Sequence, residues 1–204
     1  MNKIIIVIVF FCLCISIIFY FINSTFLKNK EHFKGNKFSS DKLNIILEKI
    51  SNILIGNDLN NWFIGYGTLL GIIRNNSCIN NDDDIDIIID YNDKNKINEI
   101  IKKYNFKIVI KENHIYKIEL EKNLPTVDFY FSNIKENTYI DHWERVIWKN
   151  CNPIQKLKWK NTTLNIPNEY QHKLLNRYGK NWRIPQKNKG NQQYKKDKSK
   201  YQYL

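Results

Sequence analysis

Seven residues, Asp84-Ile85-Asp86-Ile87-Ile88-Ile89-Asp90, constrain the fold of this chain more than any other stretch. Their β-branched run reads as a strand. In a strand, side chains two apart share a face and lie roughly 7 Å apart. Asp84 and Asp86 therefore project together, while Ile85, Ile87 and Ile89 point to the opposite face. Carboxylates beside an isoleucine run are costly unless something cationic meets them. One or two Mg²⁺ or Mn²⁺ ions suit the pair, since these ions prefer carboxylate oxygens and share ligation with substrate phosphates. Asp82 extends the row or faces solvent where the strand begins, and Asp90 has the right parity but sits at the far end. A calcium-binding EF-hand loop is excluded by spacing, which lacks the glycine and glutamate such a loop needs.

A third acid follows the same logic. Thr126-Val127-Asp128-Phe129-Tyr130-Phe131 places one aspartate in an otherwise apolar and aromatic strand. Asp128 reads either as a buried acid paired with a lysine such as Lys117, or as a metal ligand or activator of an attacking hydroxyl. The second reading is the stronger if its strand lies beside Asp84–Asp90. Gly67 and Thr68 fall at a strand-to-helix turn, where free backbone N–H groups make an anion site. Arg74 offers a charge that could offset developing negative charge or form a structural ion pair. A glycine turn, an Asp-x-Asp pair and one distant carboxylate are together similar to the nucleotidyltransferase fold. The expected class is therefore α+β, a mixed sheet flanked by helices.

The rest of the chain punctuates clearly. Leu43, Ile46, Leu47, Ile50, Ile53 and Leu54 recur at helical spacing, predicting a helix from Lys42 to about Ile55 with Asp41 as its N-cap and Gly56 as its stop. Trp62–Ile64 reads as a strand, Thr68–Arg74 as a short helix and Asn75–Asn81 as a loop. Ile97, Ile100, Ile101 and Tyr104 mark another helix. Phe106–Lys111, His114–Leu120, Thr126–Phe131 and Leu157–Ile166 read as strands, and Glu169–Tyr178 as a helix stopped by Gly179. The domain then runs over residues 41–185, after a polar stem at 23–40 and before a basic tail at 186–204 that reads as disordered.

The block Gly67-Thr68-Leu69-Leu70-Gly71-Ile72-Ile73-Arg74, followed by Asp82-Asp83-Asp84-Ile85-Asp86-Ile87, resembles the signature of the LicD/fukutin family. The later Leu174-Leu175 through Tyr178-Gly179, Trp182 and Pro185 resembles that family's closing pattern, so the similarity spans roughly Leu43 to Pro185. Asn80-Asn81 stands where family members usually carry Pro-Trp. The resemblance implies transfer of a phosphorylated alcohol, phosphocholine or ribitol phosphate in type, from a CDP-linked donor to a glycan hydroxyl, with CMP leaving. It implies that Asp84 and Asp86 hold Mg²⁺ or Mn²⁺, that Asp128 completes the metal site or orients the acceptor, and that Gly67, Thr68 and Arg74 meet the donor's phosphates. Another class remains open, a metal-dependent glycosyltransferase using a nucleotide-sugar, because an Asp-x-Asp pair behind an N-terminal anchor is also that class's habit.

Ile4 to Ile22 is apolar except for Ser16 and matches the roughly 20 residues that span a bilayer. No small-residue cleavage site follows, so residues 1–22 read as an uncleaved, single-pass signal anchor. Lysines 28, 30, 34 and 37 on its far side favour a cytoplasmic domain by the positive-inside rule, whereas the family resemblance favours a lumenal one. A net charge of +12 points to anionic partners. A nucleic-acid partner is not expected beside a membrane span, and the charge reads as a solvated tail or a membrane-surface contact. Cys78 and Cys151 have no zinc-ligand spacing and could pair only in an oxidising compartment.

Overall fold

The computed structural model describes residues 37–185, so the predicted anchor, nearly all of the stem and the basic tail lie outside the described residues. Among the described residues no helix is long and apolar enough to cross a membrane. The first helix, α1 (Ser40–Gly56), buries the six apolar residues whose spacing predicts it. It starts two residues earlier than expected. Ser39 is the N-cap, and Asp41 sits in the first turn, where its charge complements the helix dipole.

Strand β1 (Trp62–Ile64) leads into helix α2 (Tyr66–Asn75), and β2 (Asp84–Asp90) follows the 76–83 loop. A short 3₁₀ turn, Tyr91–Asp93, precedes α3 (Lys94–Lys103), and then come β3 (Lys107–Lys111), β4 (Ile115–Glu119) and β5 (Thr126–Lys135). The sheet order is β1-β2-β5-β4-β3. Only the β2–β5 pair is parallel; β1–β2, β4–β5 and β3–β4 are antiparallel. A parallel pair needs a long crossover. Here α3, β3 and β4 supply it.

Two features go beyond the sequence reading. Strand β5 outruns its predicted end at Phe131, and its extension pairs with β6 (Thr138–Asp141), which pairs in turn with β7 (Val146–Trp148). The stretch read as a single strand from Leu157 to Ile166 is a hairpin, β8 (Gln155–Trp159) and β9 (Thr162–Ile166), turning at Lys160-Asn161. This hairpin is a separate two-stranded sheet. Asn165 Nδ2 donates to the Trp62 carbonyl at 2.9 Å, and Trp159 Nε1 donates to the Asn76 carbonyl at 3.0 Å. Those bonds satisfy carbonyls of β1 and the end of α2. Helix α4 (Tyr170–Tyr178) closes the chain, and Gly179 caps it at φ 82°, a left-handed position that favours glycine. Cys78 and Cys151 are buried free thiols, so the conditional pairing between them is not found.

Every residue from Ile85 to Asp90 is buried, and both faces of β2 are therefore covered. Helix α2 comes so near the 77–79 loop that a Cβ on Gly71 would meet the Ser77 carbonyl oxygen at 2.7 Å and the Ile79 nitrogen at 2.9 Å. Backbone cannot rotate away as a side chain can. Gly71→Ala should therefore cost about 1–3 kcal/mol, as overpacking does, and lower the thermal midpoint by several degrees. An unchanged midpoint in a melting experiment would show that this loop moves freely against α2.

Candidate active site

The parallel register of β2 and β5 sets Asp86 directly opposite Asp128 and Asp84 opposite Thr126. On the other side of β5, Lys117 of β4 stands opposite Asp128. Partners in register point to the same face of a sheet. Asp86, Asp128 and Lys117 thus form a row across three neighbouring strands, with Asp84 one step along. Lys117 Nζ lies 3.0 Å from Asp84 Oδ2 and 3.1 Å from Asp128 Oδ2. The two readings of Asp128 meet here: it pairs with Lys117, and it joins the Asp-x-Asp pair.

The glycine turn grips Asp86. The backbone N–H groups of Gly67 and Thr68 donate to Asp86 Oδ2 at 3.0 and 3.4 Å, and Asp86 N–H donates to Thr68 Oγ1 at 2.9 Å. The Tyr130 hydroxyl donates to Asp86 Oδ1 at 3.2 Å. The amides expected at a phosphate are thus engaged with a carboxylate at the start of α2, where the helix dipole favours negative charge. A Cβ on Gly67 would come within 2.8 Å of Asp82 Oδ2 and 3.5 Å of Asp86 Oδ2. Glycine keeps the space between those two acids open.

Burial dominates the electrostatics. It pushes the Asp86 and Asp128 carboxyls well above the usual carboxylate range, with further upward pressure from the neighbouring acids, chiefly Asp84. Burial raises Asp84 too, against the pull of Lys117. Asp82 is pushed up to about 7 by burial and then by Asp84 and Asp83. For Lys117, burial alone would lower the ammonium, but Asp128 and Asp84 hold it above its ordinary value. One ammonium does not offset this many carboxylates.

These residues fit a divalent cation. Asp128 is 3% exposed, and its Oδ1 is buried without a hydrogen-bond partner. Among the described residues, the acids whose oxygens come within 4.8 Å of one another are Asp82, Asp83 and Asp84, at the partly exposed start of β2, with Asp86 and Asp128 on the same face but outside that group. The donors are all hard oxygens, the chemistry that Mg²⁺ and Mn²⁺ select.

Arg74 stands on the last turn of α2. It lies seven residues beyond Gly67 on α2, which is about 10 Å along the helix axis. Its neighbour is Tyr178 of α4, and burial lowers the pKa of its guanidinium. Asp90 accepts from Asn92 N–H and caps the 3₁₀ turn instead of joining the acids.

Several site residues had no sequence signal strong enough to single them out. The Tyr66 ring meets Tyr130 edge-on at 5.0 Å, its hydroxyl donates to Asp141 Oδ2, and the Arg177 guanidinium stacks over it at 4.2 Å. Tyr66 holds a left-handed backbone, φ 41°, at the entrance to α2. Such a conformation persists only where surroundings over-determine it. Tyr130 was findable, because it shares strand parity with Asp128. Asp141 and Arg177 were not, because each is brought to the turn from a different element, and Tyr66, which sits in the turn itself, shows nothing of these partners in the sequence.

A family model described as the LicD/FKTN/FKRP nucleotidyltransferase domain matches residues 60–186. No curated protein matches the chain in sequence. Among solved structures, the chain is similar to the solution structure of the antibiotic-resistance factor ANT(2'')-Ia, with a TM-score of 0.51 and 12% identity over 63% of this chain and 66% of that one. It is also similar to the lincomycin-bound lincosamide antibiotic adenylyltransferase LnuA, with a TM-score of 0.45 and 14% identity over 67% of this chain and 84% of that one. At such identities the first of these bears on the fold alone, which is a mixed α+β arrangement like that of nucleotidyltransferases. Both signature blocks fall inside the matched range, and this chain belongs to the LicD/FKTN/FKRP nucleotidyltransferase domain family.

Proposed function

We propose that this chain transfers a phosphorylated alcohol, of the phosphocholine or ribitol-phosphate type, from a CDP-activated donor to a glycan hydroxyl. The observation that carries the reading is the convergence of Asp84, Asp86 and Asp128 on one face, with a buried Asp128 oxygen left without a partner. Family membership supports a transferase that modifies glycans. On sequence grounds residues 1–22 anchor the domain to a membrane, where a glycolipid or glycoprotein acceptor would be met, and residues 23–40 form the stem.

Asp84, Asp86 and Asp128 would hold Mg²⁺ or Mn²⁺. When bound, that ion supplies charge neutralisation for the donor's pyrophosphate and for the departing CMP. The chain's own groups set the geometry. Gly67 and Thr68 fix Asp86 through their amides and can meet a phosphate oxygen only by sharing those N–H groups. Tyr130 orients the other oxygen of Asp86. Burial on both faces of β2 keeps the local dielectric low, which strengthens each of these contacts.

Purified protein with Mn²⁺, a panel of CDP-linked donors and a sugar acceptor should release CMP. Asp84→Ala and Asp86→Ala should each lower that rate by about 10²–10³-fold, as loss of preorganised charge stabilisation does. Turnover surviving in both variants would remove the acids from the chemistry, and release of UDP or GDP from a nucleotide-sugar would favour the glycosyltransferase class. Arg74→Met should change the rate by less than about tenfold while lowering thermal stability, since its surroundings are α2 and α4.

Proton linkage gives an independent check. Carboxyls whose folded pKa exceeds the unfolded value near 3.9 favour the folded state while protonated. Asp82, at about 7, and Asp141, at about 6, therefore contribute stability fully below about pH 4 and lose it as pH rises through 6 to 7. The metal-free thermal midpoint should fall across that window, and Mn²⁺ should raise it more at pH 8 than at pH 5. A metal-free midpoint that climbs from pH 4 to 7 would contradict the burial of these acids.

A further inference from the structure

We propose that the Lys117 ammonium stands in for a second metal ion, so that this site takes one divalent cation and not two. The inference rests on the metal-dependent reading of the acids given above. Sites with two ions hold them about 3.5–4 Å apart through carboxylates that both ions share. The acids able to bridge strands here are Asp84 of β2 and Asp128 of β5. Lys117 already takes one oxygen from each, at 3.0 and 3.1 Å.

That placement is built into the sheet. Lys117 lies mid-strand between the buried side chains of Tyr116 and Ile118, and is itself 7% exposed. Its register partner on β5 is Asp128, so its stem leaves the sheet on the face that carries the acids. A lysine buried in a strand is tolerated only when paired, and here it is paired twice. Lys117 thereby neutralises part of the charge that Asp84 and Asp128 bring to this face, where a second cation would otherwise sit, and a single divalent ion is left to meet the remaining oxygens. The unpartnered Asp128 Oδ1 is the atom left over for that ion. A fixed ammonium also differs from a second metal in kind. It cannot dissociate, and it donates hydrogen bonds without serving as a Lewis acid.

Counting ions decides the matter without any turnover. Metal-stripped protein is titrated with Mn²⁺ in the presence of CDP, and free and bound Mn²⁺ are followed by electron paramagnetic resonance. The native chain should bind one Mn²⁺ with an isolated-ion spectrum. Lys117→Met should bind two, with the dipolar broadening of a close pair. Lys117→Gln, which keeps a hydrogen-bond donor beside the acids and lacks the charge, should also bind two. A native chain that binds two coupled ions overturns the inference, as does a folded Lys117→Met or Lys117→Gln that stays at one. If neither variant folds, the native count alone decides. A native chain that binds no Mn²⁺ overturns the metal-dependent function as well, which separates the two failures.

Discussion

The β2–β5 register is the constraint on which the rest of this site depends. Because side chains alternate along a strand, slipping that pair by one residue would turn Asp128 to the face of Ile85 and Ile87. The acid cluster would vanish and a carboxylate would enter the apolar layer. Parallel pairs cannot set their register through a tight turn, so the register must come from what each face packs against. Here it comes from isoleucine on one face and from charge on the other. Lys117 has a part in this, since it reaches Asp128 and Asp84 at once only when β4, β5 and β2 are all in phase.

The site is locally at odds with the fold that holds it. Carboxylates at this depth are driven toward the protonated form, and one lysine offsets only part of their charge. Elsewhere the chain obeys simple rules: α1 buries its periodic face, the hairpin satisfies the carbonyls it covers, and Gly179 closes α4. A stretch that breaks those rules in an otherwise consistent sequence marks a place kept for chemistry. Gly67 adds to the same picture. A side chain there would fill the gap between Asp82 and Asp86, which an apolar core would close and this site leaves open.

Much of this was legible in the sequence, for physical reasons that can be named. The Asp84–Asp90 strand, a helix read as Thr68–Arg74 that in fact begins at Tyr66 and ends at Asn75, and the position of Asp128 follow from periodicity and punctuation, and a two-residue period needs no tertiary information to place Asp84 with Asp86. The extension of β5 into β6 and the β8–β9 hairpin were not legible. Lys160-Asn161 carries no glycine or proline to announce a turn, and Lys160 takes a left-handed conformation, φ 48°, that only context supports. Gly67-Thr68 shows how a correct local reading leaves its object open. The turn does present free amides, and only the tertiary structure reveals that a carboxylate takes them. Arg74 illustrates a different case, a charge near the motif in sequence whose fixed neighbour in the fold, Tyr178, comes from the far end of the chain.

The family match extends to residue 186, well past the last acid, and the packing gives that extent a physical sense. Arg177, on α4, sits over the Tyr66 ring, while the Tyr66 hydroxyl is held by Asp141 at the end of β6. Tyr66 precedes Gly67 in the chain and touches Tyr130, whose hydroxyl orients Asp86. Helix α4 therefore reaches Asp86 through two routes, one along the backbone of the turn and one through the edge-on Tyr66–Tyr130 ring pair. The orientation of the Asp86 carboxylate gains more from such bracing than from its own strand, whose hydrogen bonds fix the backbone and leave the side chain free to rotate. The C-terminal helix is far from the acids in sequence, yet it belongs to the same site because the turn that grips Asp86 is strained at Tyr66 and needs packing from outside to stay that way.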